Sequence, residues 1–151
     1  MQLLTFTVGK EPMVILIDDV QEIVEPIPVA RMPVTDHALK GLLTLRGRVV
    51  PLIDLHHLFS LTESQTEGAD SLFLIVRSRA NLAAVQIDDV GEIIHIDEKT
   101  EIEKPKNEVE ATCLEGKLNI DGRLHAWLNV DGLARIVQAR NTALREVAGI
   151  L

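Results

Sequence analysis

The sequence predicts a mainly β protein built as two similar small barrel units packed face to face, with a helix near its C-terminal end. Three observations carry that prediction. Short apolar runs recur along the chain between turn residues, a pattern that suits small barrels because they hide their sheet edges. Ile17-Asp18-Asp19-Val20-Gln21-Glu22-Ile23 returns as Ile87-Asp88-Asp89-Val90-Gly91-Glu92-Ile93, changed only at its fifth position, and Gly47-Arg48-Val49 has an echo in Gly122-Arg123-Leu124. Finally, Gly41 to Leu55 reads as two strand-like runs around a tight Arg46-Gly47-Arg48 centre. The halves divide near residue 70, into a first unit over 1–70 and a second over 71–151, although the N-terminal strand is free to cross over and complete the other unit. Neither half has ample core of its own, so the seam between them is expected to be apolar and central. The competing architecture is one irregular sandwich in which the repeat is coincidental.

The elements follow in order. Leu3, Phe6 and Val8 open a strand that Gly9 and Pro12 end, and Met13 to Ile17 form the next. Asp18-Asp19 interrupts, and Val20 to Val24 resumes as a strand. Pro26, Pro28 and Pro33 make a stiff, non-helical connection because proline fixes φ and lacks an amide hydrogen. Thr35 or Asp36 caps a helical turn through Lys40, closed by Gly41. In the central hairpin, Leu43 and Leu45 alternate with Thr44 and Arg46, the period of a half-buried strand. Val49 to Ile53 is apolar throughout, as in a strand covered on both faces. Leu55 to Phe59 forms one helical turn, and polar residues 60 to 71 a loop. Leu72 to Val76, Leu82 to Ile87 and Glu92 to Ile96 are strands, and charged residues 97 to 110 are exposed. Asp121-Gly122 turns the chain into a last strand, Leu124 to Val130. Asp131 then caps a helix whose apolar stripe is Leu133, Ile136, Val137, Leu144 and Val147.

Composition narrows the functional classes. The chain has 151 residues and a formal net charge of −8 without any lysine- or arginine-rich run, which argues against a nucleic-acid or anionic-membrane partner. A single cysteine, Cys113, excludes an internal disulfide framework and suits a reducing compartment. No apolar stretch approaches the ~18 residues of a membrane span, and no basic lead precedes an apolar block, so neither membrane insertion nor a targeting segment is expected. The expected location is the cytoplasm.

Catalytic and metal chemistry finds little footing. His37, His56, His57, His95 and His125 show no i+3 or i+4 pairing, and with Cys113 isolated no zinc spacing exists. No nucleophile elbow, phosphate loop or His-Glu-x-x-His motif occurs. Asp18-Asp19 and Asp88-Asp89 lack the later ligands of a calcium loop. Asp54 near His56 is the one acid–base pair to consider. Trp127, the sole tryptophan, belongs in the core. No cofactor and no enzymatic activity are expected.

The residue out of place is Arg46, an always-charged side chain inside an apolar hairpin. Either its stem packs while its head reaches solvent, or it is buried and needs a carboxylate, because an unpaired interior charge costs several kcal/mol. Glu22, flanked by Val20 and Ile23, is the candidate partner for a bidentate pair that would fix the hairpin against the preceding strand.

Gly41-Leu42-Leu43-Thr44-Leu45-Arg46-Gly47-Arg48-Val49-Val50-Pro51-Leu52-Ile53-Asp54-Leu55 resembles the signature of the CheW-like family, and the strand around Phe6, Val20-Gln21-Glu22-Ile23 and Ile87-Asp88-Asp89-Val90 fall in the family's order. The resemblance implies two five-stranded, SH3-like barrels around a shared apolar seam. It also implies a scaffold that couples the cytoplasmic hairpin tip of a chemoreceptor to the regulatory domain of a CheA-type histidine kinase. By the same resemblance, Val20, Glu22, Gly41 and Arg46 fall at positions used for receptor contact and its support, and Thr44 and His56 border the groove. Leu82, Val85, Ile87 and Val90, placed on the second barrel, would face the kinase. Thr44 stands where the family usually has asparagine, and His56 replaces a frequent arginine. Such variants occur in accessory chemosensory pathways as well as in swimming chemotaxis. The alternative from another class is a small-ligand-binding double barrel that uses the inter-barrel groove for an apolar metabolite.

Overall fold

The computed structural model describes residues 1–31, 38–61 and 71–140. Strands β1 (Gln2–Val8) and β2 (Glu11–Leu16) lead through a 3-10 turn, Ile17–Asp19, into β3 (Val20–Val24). Next come β4 (Leu39–Leu45), β5 (Arg48–Ile53) and the short helix α1 (Leu55–Leu58). The remainder comprises β6 (Leu72–Ser78), β7 (Asn81–Ile87), β8 (Asp89–His95), β9 (Ile102–Glu103), α2 (Glu108–Cys113), β10 (Leu114–Ile120), β11 (Arg123–Leu128) and α3 (Val130–Arg140). The expected cap at Thr35 or Asp36, His37, most of the loop after α1, and Leu144 and Val147 lie outside the described residues.

Two sheets result, one ordered β8-β1-β2-β11-β10-β9 and the other β3-β6-β7-β5-β4. The mainly β, two-unit architecture expected from sequence is present, with six strands rather than five in one sheet because the two-residue β9 adds to its edge. The division at residue 70 does not follow these sheets. β1 and β2 pair with β8 and β11 of the second half, while β6 and β7 join β3 to β5 of the first. The repeated Ile-Asp-Asp-Val motifs stand where the chain changes sheets: Ile17-Asp18-Asp19 leads from β2 to β3, and Ile87-Asp88-Asp89 leads from β7 to β8. Each half thus lends two strands to the other's barrel. The symmetry extends to the two parallel pairings, β11 with β2 through Ala126 and Met13, and β5 with β7 through Leu52 and Ala84.

This exchange explains the near-continuous apolar strands. Successive side chains of a strand point to opposite faces, and here both faces are covered. Leu4, Phe6, Val8, Met13 and Ile15 face the seam, as do Leu74, Val76, Ala83, Val85 and Ile87 from the other sheet. The alternate residues fill two smaller cores. Leu3, Val14, Leu118 and Trp127 pack within the six-stranded unit, and Leu43, Leu45, Val50, Phe73 and Ile75 within the five-stranded one. Helices α1 and α3 cover the seam with Leu55, Leu58, Leu133 and Val137.

Two local expectations change. Lys40 and Gly41 belong to β4 rather than to a helical turn. Asn129, not Asp131, caps α3: its Oδ1 accepts the Gly132 amide at 3.0 Å, leaving Asp131 in the first turn, where it accepts the Ser78 hydroxyl at 2.6 Å. Residues 97 to 110 are exposed or half-buried, as expected, and within them lie β9 and the start of α2, which the expected elements do not include. The signal for α2 is present as Asn107-x-x-Glu110, a reciprocal cap in which Asn107 Oδ1 accepts the Glu110 amide at 2.9 Å and Asn107 Nδ2 donates to Glu110 Oε2 at 3.1 Å.

Candidate functional site

The β4–β5 hairpin turns on two residues, Arg46 and Gly47, with φ of 48° and 80°, between the paired Leu45 and Arg48. Positive φ at both central positions is the turn whose twist suits a hairpin, and Asp121-Gly122 repeats it at 50° and 84° between β10 and β11. The turn carries Arg46 beyond the apolar ladder, so its side chain is 70% exposed rather than locked among aliphatic neighbours. It is nevertheless engaged, because Arg46 Nη1 donates to Glu22 Oε2. The expected pair forms, but through one oxygen rather than two. Glu22 is the more buried partner, 21% exposed, and its Oε1 lies buried without a hydrogen-bond partner.

β3 and β4 are the two edges of the five-stranded sheet. An ion pair from Glu22 on β3 to the tip of β4 therefore spans the sheet's open side. The backbone closes the same gap just after β3, where Ala30 N donates to Leu42 O at 2.7 Å and Leu42 N donates to Ala30 O at 2.9 Å. Gly41 is buried at this closure, and a β-carbon there would lie 2.6 Å from Ala30 O and 2.7 Å from Val29 Cγ1. Glycine is needed for close backbone approach, so Gly41 supports the barrel instead of presenting a side chain. Neighbouring Thr44 is exposed on the edge strand. Val20 and Val90 are half-buried and pack against the seam core, each just after one of the sheet-changing turns.

The residues expected to face a kinase are placed differently. β7 is the central strand of the five-stranded sheet, not part of the second barrel. Val85 and Ile87 are fully buried in the seam, and Leu82 lies in the smaller barrel core. The side chains of Val85 and Ile87 cannot touch a partner without unfolding the sheet, and Leu82 keeps only 9% of its surface. Apolar continuity in sequence marked them as buried against something, and that something is the protein itself. Of this group Val90, on edge strand β8, is the one that is half-exposed.

His56 sits on α1, away from hairpin chemistry. Asp54 caps this helix, its Oδ1 accepting the amides of His56 at 3.0 Å and His57 at 3.3 Å, while His56 Nδ1 lies 3.6 Å from it. The carboxylate is thus occupied as a cap, which accounts for the Asp54–His56 spacing without acid–base work. Asp19, in the first sheet-changing turn, has its carboxyl pushed above the ordinary range by burial, then by the nearby charges of Asp131, Asp18 and Glu115. Among the described residues no group of three or more His, Cys, Asp or Glu is placed to hold a metal ion, and no helix is long and apolar enough to cross a membrane.

The family model of the CheW-like domain matches residues 2–138. The chain belongs to the CheW-like family. It is 36% identical over 96 residues to a chemotaxis protein CheW of Helicobacter pylori, a match covering 64% of this chain and 58% of that protein. A probable chemotaxis protein CheW of Rhizobium etli is 26% identical over 136 residues, covering 87% of this chain and 86% of that one. Among solved structures, the scaffolding protein TtCheW of Thermoanaerobacter tengcongensis superposes with a TM-score of 0.78 at 27% identity, over 88% of this chain and 86% of its own. The CheW-like match takes in every strand among the described residues, and so both sheets and the seam between them.

Proposed function

We propose that this protein is a non-catalytic cytoplasmic adaptor that couples the helical hairpin tip of a chemoreceptor to a CheA-type histidine kinase at membrane-associated receptor arrays. The observation that carries the reading is the double barrel itself: a fold matched to CheW-like proteins along almost its whole length, whose one acid–base candidate is engaged in capping a helix. Val20, Glu22 and Arg46 border the receptor contact, with Thr44 beside them, Gly41 setting their backbone and His56 at the margin on α1. Val90 on the β8 edge is the accessible member of the kinase-facing set. Binding geometry does the work, as an apolar receptor face fills the groove between barrels and the relative placement of two docked partners sets kinase output. The test is reconstitution of the full chain with a kinase regulatory domain and a receptor hairpin fragment, read by size-exclusion chromatography. A complex containing all three, weakened by Arg46→Ala or Val20→Asp in a folded protein, is the expected result. Failure to retain either partner at micromolar concentrations would overturn the reading.

A further inference from the structure

In the six-stranded sheet Phe6 stands between Val90 of β8 and Met13 of β2. Edge strand β8 with Val90 lies on one side of it. On the other, a cavity of about 780 Å3 opens among the described residues, within the size range of sites that take ligands or side chains. Its apolar lining comes from Met13 on β2, Leu58 and Phe59 at α1, Val109 on α2 and Leu124 on β11. Leu124 is 46% exposed, so the lining reaches an open mouth instead of closing around a small molecule. Glu11, Glu108 and Glu110 stand around this lining with Lys117. Lys117 Nζ lies 3.2 Å from Glu110 Oε1, and Lys117 is the one basic residue among the described residues that line the cavity, so the exposed Glu11 and Glu108 leave its rim with a net negative charge. An open apolar floor under a surplus of negative charge complements a segment that is apolar on one face and basic at its margins.

We propose that this cavity is a second docking groove, separate from the Val20–Arg46 face, which takes an amphipathic basic helix of a protein partner. On the adaptor reading proposed above, this groove serves a third protein. The probe is a fluorescent synthetic helix of about four turns, 14 residues, made of leucine and lysine at amphipathic spacing, with a glutamate-for-lysine counterpart. Both are titrated against the full chain by anisotropy. The lysine peptide is expected to bind and the glutamate peptide not to. Glu11→Lys with Glu108→Lys should weaken binding at least about tenfold, because each reversal replaces attraction by repulsion at the rim. The control pair Glu98→Lys with Glu101→Lys changes net charge equally on another exposed stretch and should weaken it less than about twofold at physiological salt. Leu124→Glu should abolish binding, with thermal unfolding showing that each variant is folded. Equal losses from both reversal pairs would reduce the effect to net charge and overturn the proposal. Equal binding of the two peptides would overturn it as well, leaving an apolar pocket with no preference for a basic segment. Because the hairpin fragment and the kinase domain are absent from this titration, its failure leaves the adaptor reading standing.

Discussion

Glu22 reaches from edge strand β3 to Arg46 at the tip of the β4–β5 hairpin, closing by a side-chain contact the gap between the two edges of the five-stranded sheet. The buried end of this contact is the carboxylate and the exposed end is the guanidinium. Exposed ion pairs contribute little to stability, because solvent screens them and ordering two long side chains costs entropy. A double-mutant cycle of Arg46→Ala and Glu22→Ala in urea should therefore return a coupling of only about 0.5–1 kcal/mol. Partner binding, if it uses this face, should fall by more than that coupling explains.

Gly41 and Gly47 should respond to alanine for different reasons. A β-carbon at Gly41 meets Ala30 O and Val29 Cγ1 in the barrel closure, and backbone cannot yield as a flexible side chain would. Overpacking of this kind costs about 1–3 kcal/mol. Gly47 has open space around it but a φ of +80°, so Gly47→Ala should cost about 1–2 kcal/mol through backbone strain alone. Urea midpoints of the two variants measure this, and in Gly41→Ala hydrogen exchange should accelerate at the Ala30 and Leu42 amides.

Ile87→Ala should behave as a core mutation. Ile87 is fully buried in the seam, and deleting such a side chain costs about 2–5 kcal/mol. Thr44→Ala, on the exposed face of β4, should change stability by no more than about 0.5 kcal/mol. If Ile87→Ala left the unfolding midpoint in place while weakening a partner complex, the buried position of β7 would be wrong.

Asp19 gives the chain a pH dependence of definite sign. Its carboxyl titrates higher in the folded protein than in the unfolded chain, so the unfolded state loses its proton first as pH rises. Stability falls from the ordinary value of 3.8 upward to the raised folded value and stays reduced above it. Asp19→Asn should therefore stabilise the protein at pH 7 and lose that advantage below about pH 3.8, as chemical denaturation across this range would show.

Asn129→Ala should cost about 1 kcal/mol, because the Gly132 amide loses its acceptor at the start of α3. Asp131→Ala tests a different contact, the 2.6 Å bond from Ser78 that ties β6 to the helix. Helix content by circular dichroism should drop in the first variant and hold in the second.

Much of this architecture was legible in local chemistry. Apolar runs between turn residues located the strands, Arg-Gly and Asp-Gly marked the β4–β5 and β10–β11 turns, and the seven-residue echo announced two related halves. The Arg46–Glu22 pair was legible as well, because a charge among apolar residues needs an opposite charge. Its burial was not, since a turn residue and a strand residue look alike in sequence until the turn's position is fixed.

The sequence by itself determined which residues are apolar on both faces of a strand, where the chain turns, and that two similar units share a seam. Only the tertiary structure decided which unit each strand joins. Pairing register depends on which edges meet across long loops, and no local pattern records that partner. The same Ile-Asp-Asp-Val motif serves as a crossing point in opposite directions, from β2 to β3 and from β7 to β8. That exchange put Val85 and Ile87 inside the seam and left Val90 at an edge, because a strand's accessibility follows from its neighbours in the sheet, not from its own residues.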